Sequence, residues 1–372
     1  MPYSERVVAG ARSSVLFIGK RFYTNRDALT ERYGRIYQLP HFWAEDGVPT
    51  RLWLVDYKTR ETRHARDGAL DVTSLPAIGL GSARQLLSEA FGAKAARPDV
   101  VVASADCYIG LVGYRLAKRL GARFVFDVYD KYDEFSTYRR LPGFDPFTFL
   151  LERADSRLFA SRSLVETIGM RPNGDVIVPN GVDTTRFRPL DRLEARRSVG
   201  LPDDIPLVGY FGAMDPDRGV ADLIAAVQRV RQRGIPIELL LGGRGHKDVS
   251  VDHPGVRHLG NVPFDRMPKL LASCDLLSIP YQRSTFMDAG ASNKIAEAIA
   301  CGRPIVATKT PNLIANFPEQ AKKLEGLLAN PSDPDDLARV IRLQLERRVT
   351  VELPATMTWQ SIARSTREEL AL

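Results

Sequence analysis

Cysteine is scarce in this 372-residue chain, which has only Cys107, Cys274 and Cys301. They are scattered without paired spacing, so neither a disulfide framework nor a zinc site is indicated. A reducing cytoplasm is the expected compartment. Long hydrophobic runs are missing too. No apolar stretch approaches the roughly 20 residues that a membrane-spanning helix needs. Val15-Leu16-Phe17-Ile18 is too short for the core of a signal peptide and reads as a first strand. No repeat, low-complexity tract or nucleic-acid motif accompanies the isoelectric point of about 9.3, so nucleic acid is not an expected partner. What is present is ordinary globular chemistry, 44% hydrophobic and 26% charged, long enough for two cores. The formal charge of +7 is uneven: residues 1–190 hold 28 Lys and Arg against 22 Asp and Glu. That half is expected to meet an acidic partner.

Short apolar strands alternate with helical stretches from end to end. Strands are expected at 15–18, 52–55, 100–103, 124–128, 158–160 and 176–178, then at 207–211, 237–241, 256–259, 276–279 and 305–307. Such alternation argues for an α/β protein built from βαβ units with parallel sheets. After Gly219, Val220, Leu223, Ile224, Val227 and Val230 form the apolar stripe of a helix. The polar stretch from Arg186 to Pro206 separates the two series and reads as a connection. Residues 1–200 and 201–353 are therefore expected to form two Rossmann-like domains, with 354–372 a final helix carrying Trp359. Ligands would lie at the carboxyl ends of the strands, in the cleft between the sheets.

The most informative segment runs from Ser292 to Thr308. Ser292 is placed to cap a helix, Gly302 and Pro304 to end it, and Ile305-Val306-Ala307 to form a buried strand. Within the helix, Asn293, Lys294 and Glu297 share one face. They read either as an ordinary surface pair or as ligand groups. In the second case the free N–H groups and Lys294 would attract phosphate, and Glu297 would accept hydrogen bonds from sugar hydroxyls. Leu207 to Val220 runs strand, turn, helix, with Gly212 permitting close backbone approach and Arg218 able to fork onto a diphosphate. A plain βα turn with a solvated arginine fits the same residues. Gly242-Gly243-Arg244-Gly245 and Gly260-Asn261-Val262-Pro263 are further turns after strands.

In the first half, Phe124 to Phe135 sets carboxylates just past a strand end, where Asp127 and Asp130 either orient a hydroxyl or tie the loop's own amides. No histidine stands beside them, and no metal role is expected. From Tyr132 to Leu150, aromatic residues recur among Arg139 and Arg140. That pattern suits a membrane interface as well as a core helix with a basic rim. Pro179-Asn180-Gly181-Val182-Asp183 reads as a tight Asn-Gly turn tied by Asp183.

The Ser292–Thr308 segment resembles the donor-site helix of retaining glycosyltransferases of family 4, of the type that builds bacterial surface polysaccharides and glycolipids. The likeness is strong from Val178 to Thr310 and loose before Asp127. It implies a GT-B fold and metal-independent sugar transfer, without cofactor, from a nucleotide-diphosphate donor, UDP- or GDP-linked, to a glycan or lipid-linked acceptor. It implies that Arg218 and Lys294 act on the diphosphate and Glu297 on the ribose. Gly212, Gly260, Val262, Asp288, Gly290, Ser292 and Asn293 would complete the donor site. Asp130 would position the acceptor hydroxyl, with Gly19 and Asp127 on the acceptor side, and an anionic membrane surface is a further expected partner. The final helix would cross back to the first domain. Two departures stand out: the first cation of the donor loop is replaced by Ala213, and the first of two glutamates by Ala289. They keep a catalytically inactive binding protein open as an alternative, beside a sugar-nucleotide epimerase.

Overall fold

The computed structural model describes residues 13–23, 26–77, 97–135, 137–140 and 142–372. Two parallel sheets dominate it. The first has the strand order 175–177, 156–159, 123–128, 100–104, 15–20, 50–56, 70–76, 63–67, parallel throughout except for its last pair. Its central strands, Val15–Lys20, Val100–Ser104 and Arg123–Val128, are almost wholly buried. Strands covered on both faces are apolar without alternation, which is why these runs were legible. The second sheet has the order 256–258, 238–242, 207–211, 276–279, 305–308, 328–329, again parallel. In each sheet the chain reverses its direction of winding beside one central strand, Val15–Lys20 or Leu207–Phe211. Such reversals open a crevice at the carboxyl ends of the strands.

The hairpin Arg63–Asp67 with Leu70–Pro76 was not anticipated. Its outer strand is charged and largely exposed, as suits a sheet edge. The signal available was Asp67-Gly68, with Gly68 at φ +57° in the turn. The polar connection also hides an element. Asp191 caps a helix over Arg192–Val199, and Gly200 ends it at φ +72°. Arg196 is fully buried there, donating to the carbonyls of Ser273, Pro202 and Asp203 and to Asp275. An arginine satisfied at every edge packs as well as an apolar residue, so polarity misled the reading.

The Trp359–Glu369 helix packs into the core of the first sheet through Trp359, Ile362, Ala363 and Leu370. Trp43 Nε1 donates to the Ala363 carbonyl at 2.9 Å. Gly181 makes this possible: a Cβ there would lie 2.9 Å from the Trp359 ring. Asn180-Gly181 is therefore a close approach and not the tight turn expected, since Gly181 is absent from the positive-φ residues. Asp183 does form the expected local tie, accepting from the Thr185 N–H at 3.0 Å.

Candidate functional site

A cavity of about 550 Å³ lies between the carboxyl ends of the two sheets. The second domain supplies most of its wall, beginning with the helix Asn293–Ala300. Ser292 occupies the N-cap position, but its hydroxyl does not cap; it bonds Tyr281 Oη at 2.8 Å, and its N–H donates to Asn312. The expected cap is thus corrected: a better oxygen partner nearby claims the hydroxyl. The far end behaves as expected, with Gly302 at φ +65° donating to the Ile299 carbonyl. Ile295, Ala296, Ala298 and Ile299 are buried, so Asn293, Lys294 and Glu297 are turned to the cavity.

Lys294 extends across Gly212, where an added Cβ would fall 2.2 Å from Lys294 Cε. The glycine after the central strand therefore makes room for the lysine. Neither Lys294 nor Glu297 forms a side-chain hydrogen bond or ion pair among the described residues, although Glu297 lies one turn on. Burial raises the Glu297 pKa above its ordinary value, while Lys294 and Arg26 act in the opposite direction. Across the cavity mouth, Arg218 lies over the rings of Tyr281 and Phe286 at 5.6 and 5.8 Å. Its buried Nε has no hydrogen-bond partner. Burial works against its charge, yet Tyr281, Tyr210, Asp217 and Asp215 together raise its pKa.

Of the expected residues, Arg218, Lys294, Asp130, Gly212, Val262, Gly290, Ser292, Asn293 and Glu297 line this one cavity. Four do not. Gly260 sits behind it at φ +66°, its carbonyl accepting the Gly243 N–H at 2.7 Å. Asp288 is turned outward to Arg283 at 2.7 Å. Gly19 is packed under the Gly34–Glu45 helix, where a Cβ would meet Ile36 at 2.3 Å. Asp127 is completely buried, with Arg35 donating at 3.0 and 2.7 Å and Ser104 at 2.6 Å. Both its oxygens are taken, so it has none to offer an acceptor.

Asp130, three residues later, is the contrary case. Its carboxylate accepts the Lys131 N–H at 2.9 Å and no other bond among the described residues. Desolvation raises its pKa to about 7, against the pull of Arg218. The aromatic stretch beyond it is mostly interior. Tyr132 and Phe147 are buried and stack edge-on with Phe126, and Phe144 and Phe149 pack together. Tyr132 and Phe147 thus belong to the core, while Phe135, Tyr138, Phe144 and Phe149 are half-buried and Arg139 and Arg140 exposed.

Several cavity residues escaped the sequence reading. Arg26 reaches from the first domain to the Val262 carbonyl at 3.4 Å and lies 4.9 Å from the Phe264 ring centroid. Tyr33 Oη accepts from Asn293 Nδ2 at 3.1 Å, and Asn180 Nδ2 donates to the Ala291 carbonyl at 2.8 Å. These bridges join the domains around the cavity. No short-range pattern announces them, because their partners are more than a hundred residues away.

Comparison with known proteins agrees with this fold. Residues 205–347 match the family described as "Glycosyl transferases group 1". A D-inositol 3-phosphate glycosyltransferase from Geodermatophilus obscurus is 28% identical over 211 residues, half of this chain and 44% of that protein. A GDP-mannose-dependent monoacylated alpha-(1-6)-phosphatidylinositol monomannoside mannosyltransferase from Corynebacterium glutamicum is 26% identical over 194 residues, 49% of this chain and 50% of that one. The chain thus spans about half the length of the curated relatives it matches. Among solved structures, sucrose-phosphate synthase from Thermosynechococcus elongatus superposes with a TM-score of 0.73 at 17% identity, covering 97% of this chain and 98% of that one. Anabaena HepE in complex with UDP and glucose gives 0.69 at 18% identity, covering 97% of this chain and all of that one.

Proposed function

We propose that this protein, whose residues 205–347 match the glycosyl transferases group 1 family within a GT-B fold, transfers a sugar from a nucleotide-diphosphate donor to an acceptor hydroxyl. The observation that carries this reading is the gathering of Lys294 and Glu297, neither with a side-chain partner among the described residues, and Arg218, whose buried Nε has no hydrogen bond, around one cavity. Arg218 and Lys294 bind the diphosphate and stabilise the charge that grows on it as the bond from phosphate oxygen to sugar C1 breaks. Glu297 accepts hydrogen bonds from the ribose hydroxyls, and the backbone around Val262 faces the base. The acceptor oxygen forms the new bond to C1 on the face the diphosphate leaves. Its proton passes to a phosphate oxygen, giving a retained glycoside and a nucleoside diphosphate. Asp130, beside Arg218 and otherwise unpaired, positions the acceptor hydroxyl. The acceptor is a glycan or a lipid-linked molecule, in keeping with the lipid in the name of the Corynebacterium glutamicum relative.

The test is calorimetric titration of UDP, GDP and ADP into the wild type and Glu297→Ala, followed by turnover with sugar nucleotides of the base that binds. One base is expected to bind tightly, to be weakened in the variant, and to give an α-configured product from an α-linked donor by NMR. No binding of any of the three overturns the proposal. Ala213 favours a second reading, since the cavity has no cation at that position. Binding without turnover of any donor would establish that reading, a binding protein, instead.

A further inference from the structure

The turn that follows Leu207–Phe211 presents the uncharged Ala213 to the cavity. The turn after the neighbouring strand, Glu238–Gly242, lies directly against it. The Gly212 N–H donates to the Gly242 carbonyl at 2.7 Å, and the Met214 N–H to the Arg244 carbonyl at 3.0 Å. The approach is close enough that a Cβ on Gly243, at φ +135°, would fall 2.0 Å from the Gly212 oxygen. Gly212 is also the residue crossed by Lys294. The fusion of the two turns therefore brings the backbone of Arg244 alongside Ala213 and near the lysine.

The Arg244 side chain lines the same cavity. Only its Nη2 is engaged, by Asp215 at 3.0 Å; Nε and Nη1 have no partner among the described residues. A guanidinium held at one edge retains donors in a fixed fork, the geometry that suits a phosphate. Building on the donor reading above, we propose that Arg244 supplies a third cation to the donor diphosphate, beside Arg218 and Lys294. It would contact the diphosphate of the donor while Asp215 orients its fork.

The experiment is titration of the preferred nucleoside diphosphate, and of its parent nucleoside by NMR, into the wild type, Arg244→Ala, Arg244→Gln and the double variant Ala213→Arg/Arg244→Ala. Loss of one charge-assisted contact should weaken the diphosphate about tenfold in both single variants. Nucleoside binding should be unchanged, and the double variant should regain most of the loss. An unchanged diphosphate affinity in the single variants, or an equal loss for nucleoside and diphosphate, overturns the role of Arg244 and leaves the donor site standing. Failure of the wild type to bind any nucleoside diphosphate overturns both. The glutamine variant preserves side-chain bulk, so a loss seen in both single variants with an unaltered melting temperature is not a folding defect.

Discussion

The two walls of the cavity were built differently. On the second domain's wall, polar residues at strand and helix ends are largely unclaimed: among the described residues Lys294 and Glu297 have no side-chain partner, and Arg218 Nε has no hydrogen bond. On the first domain's side, similar residues just behind the cavity are spent internally. Arg21 is buried between Asp27 and Asp56 and Asp127 is held by Arg35 and Ser104, whereas Asp130 lines the cavity and accepts only the Lys131 N–H among the described residues. A carboxylate at a strand's carboxyl end is thus a ligand group only if no internal cation has reached it first. Asp127 and Asp130 make the point within one turn of chain.

The sharpest way to break the comparison is Asp127→Ala. It strands the Arg35 guanidinium, only 2% exposed, without its counter-ion. Breaking one side of a buried pair costs about 3–5 kcal/mol, read as a lowered midpoint in urea unfolding. A neutral result would mean that the first domain's acid is as free as those on the other wall. Lys294→Ala should do the reverse, leaving the melting temperature in place while weakening the nucleoside diphosphate about 100-fold by calorimetry. Parallel losses of affinity and stability would move Lys294 into the structural class.

Asp130→Asn tests the open acid through pH. Because the folded pKa, about 7, lies above the unfolded value, the native state binds the extra proton between the two. Stability contributed at this site is therefore present at acid pH and is lost as pH rises towards 7. The variant should gain on the wild type above pH 7 and lose that advantage near pH 4. Its kcat/KM should lack the rise expected across pH 6–8 as the carboxylate forms. Identical pH profiles for the two proteins would remove Asp130 from the reaction. The smallest effect is expected for Arg26→Ala, which removes a bond to the Val262 carbonyl and a contact with Phe264. Loss of one such cation–ring contact at a partly exposed site should weaken nucleotide binding about threefold. A larger loss would show that the first domain helps hold the donor.

By itself the sequence determined the two parallel sheets, because strands buried on both faces must be continuously apolar, as Val100–Ser104 and Leu207–Phe211 are. It determined the donor helix too, since Asn293, Lys294 and Glu297 fall on one face by the 3.6-residue period, with Gly302 ending the element. Local rules carry that much because they act within a few residues. Which polar groups remain free was decided only by tertiary structure. Arg35 meets Asp127 across 92 positions, Asn293 meets Tyr33 across 260, and Arg196 meets the Ser273 carbonyl across 77. Whether a side chain faces a ligand or a partner depends on what the fold brings within about 3 Å of it, and no spacing along the chain encodes that distance.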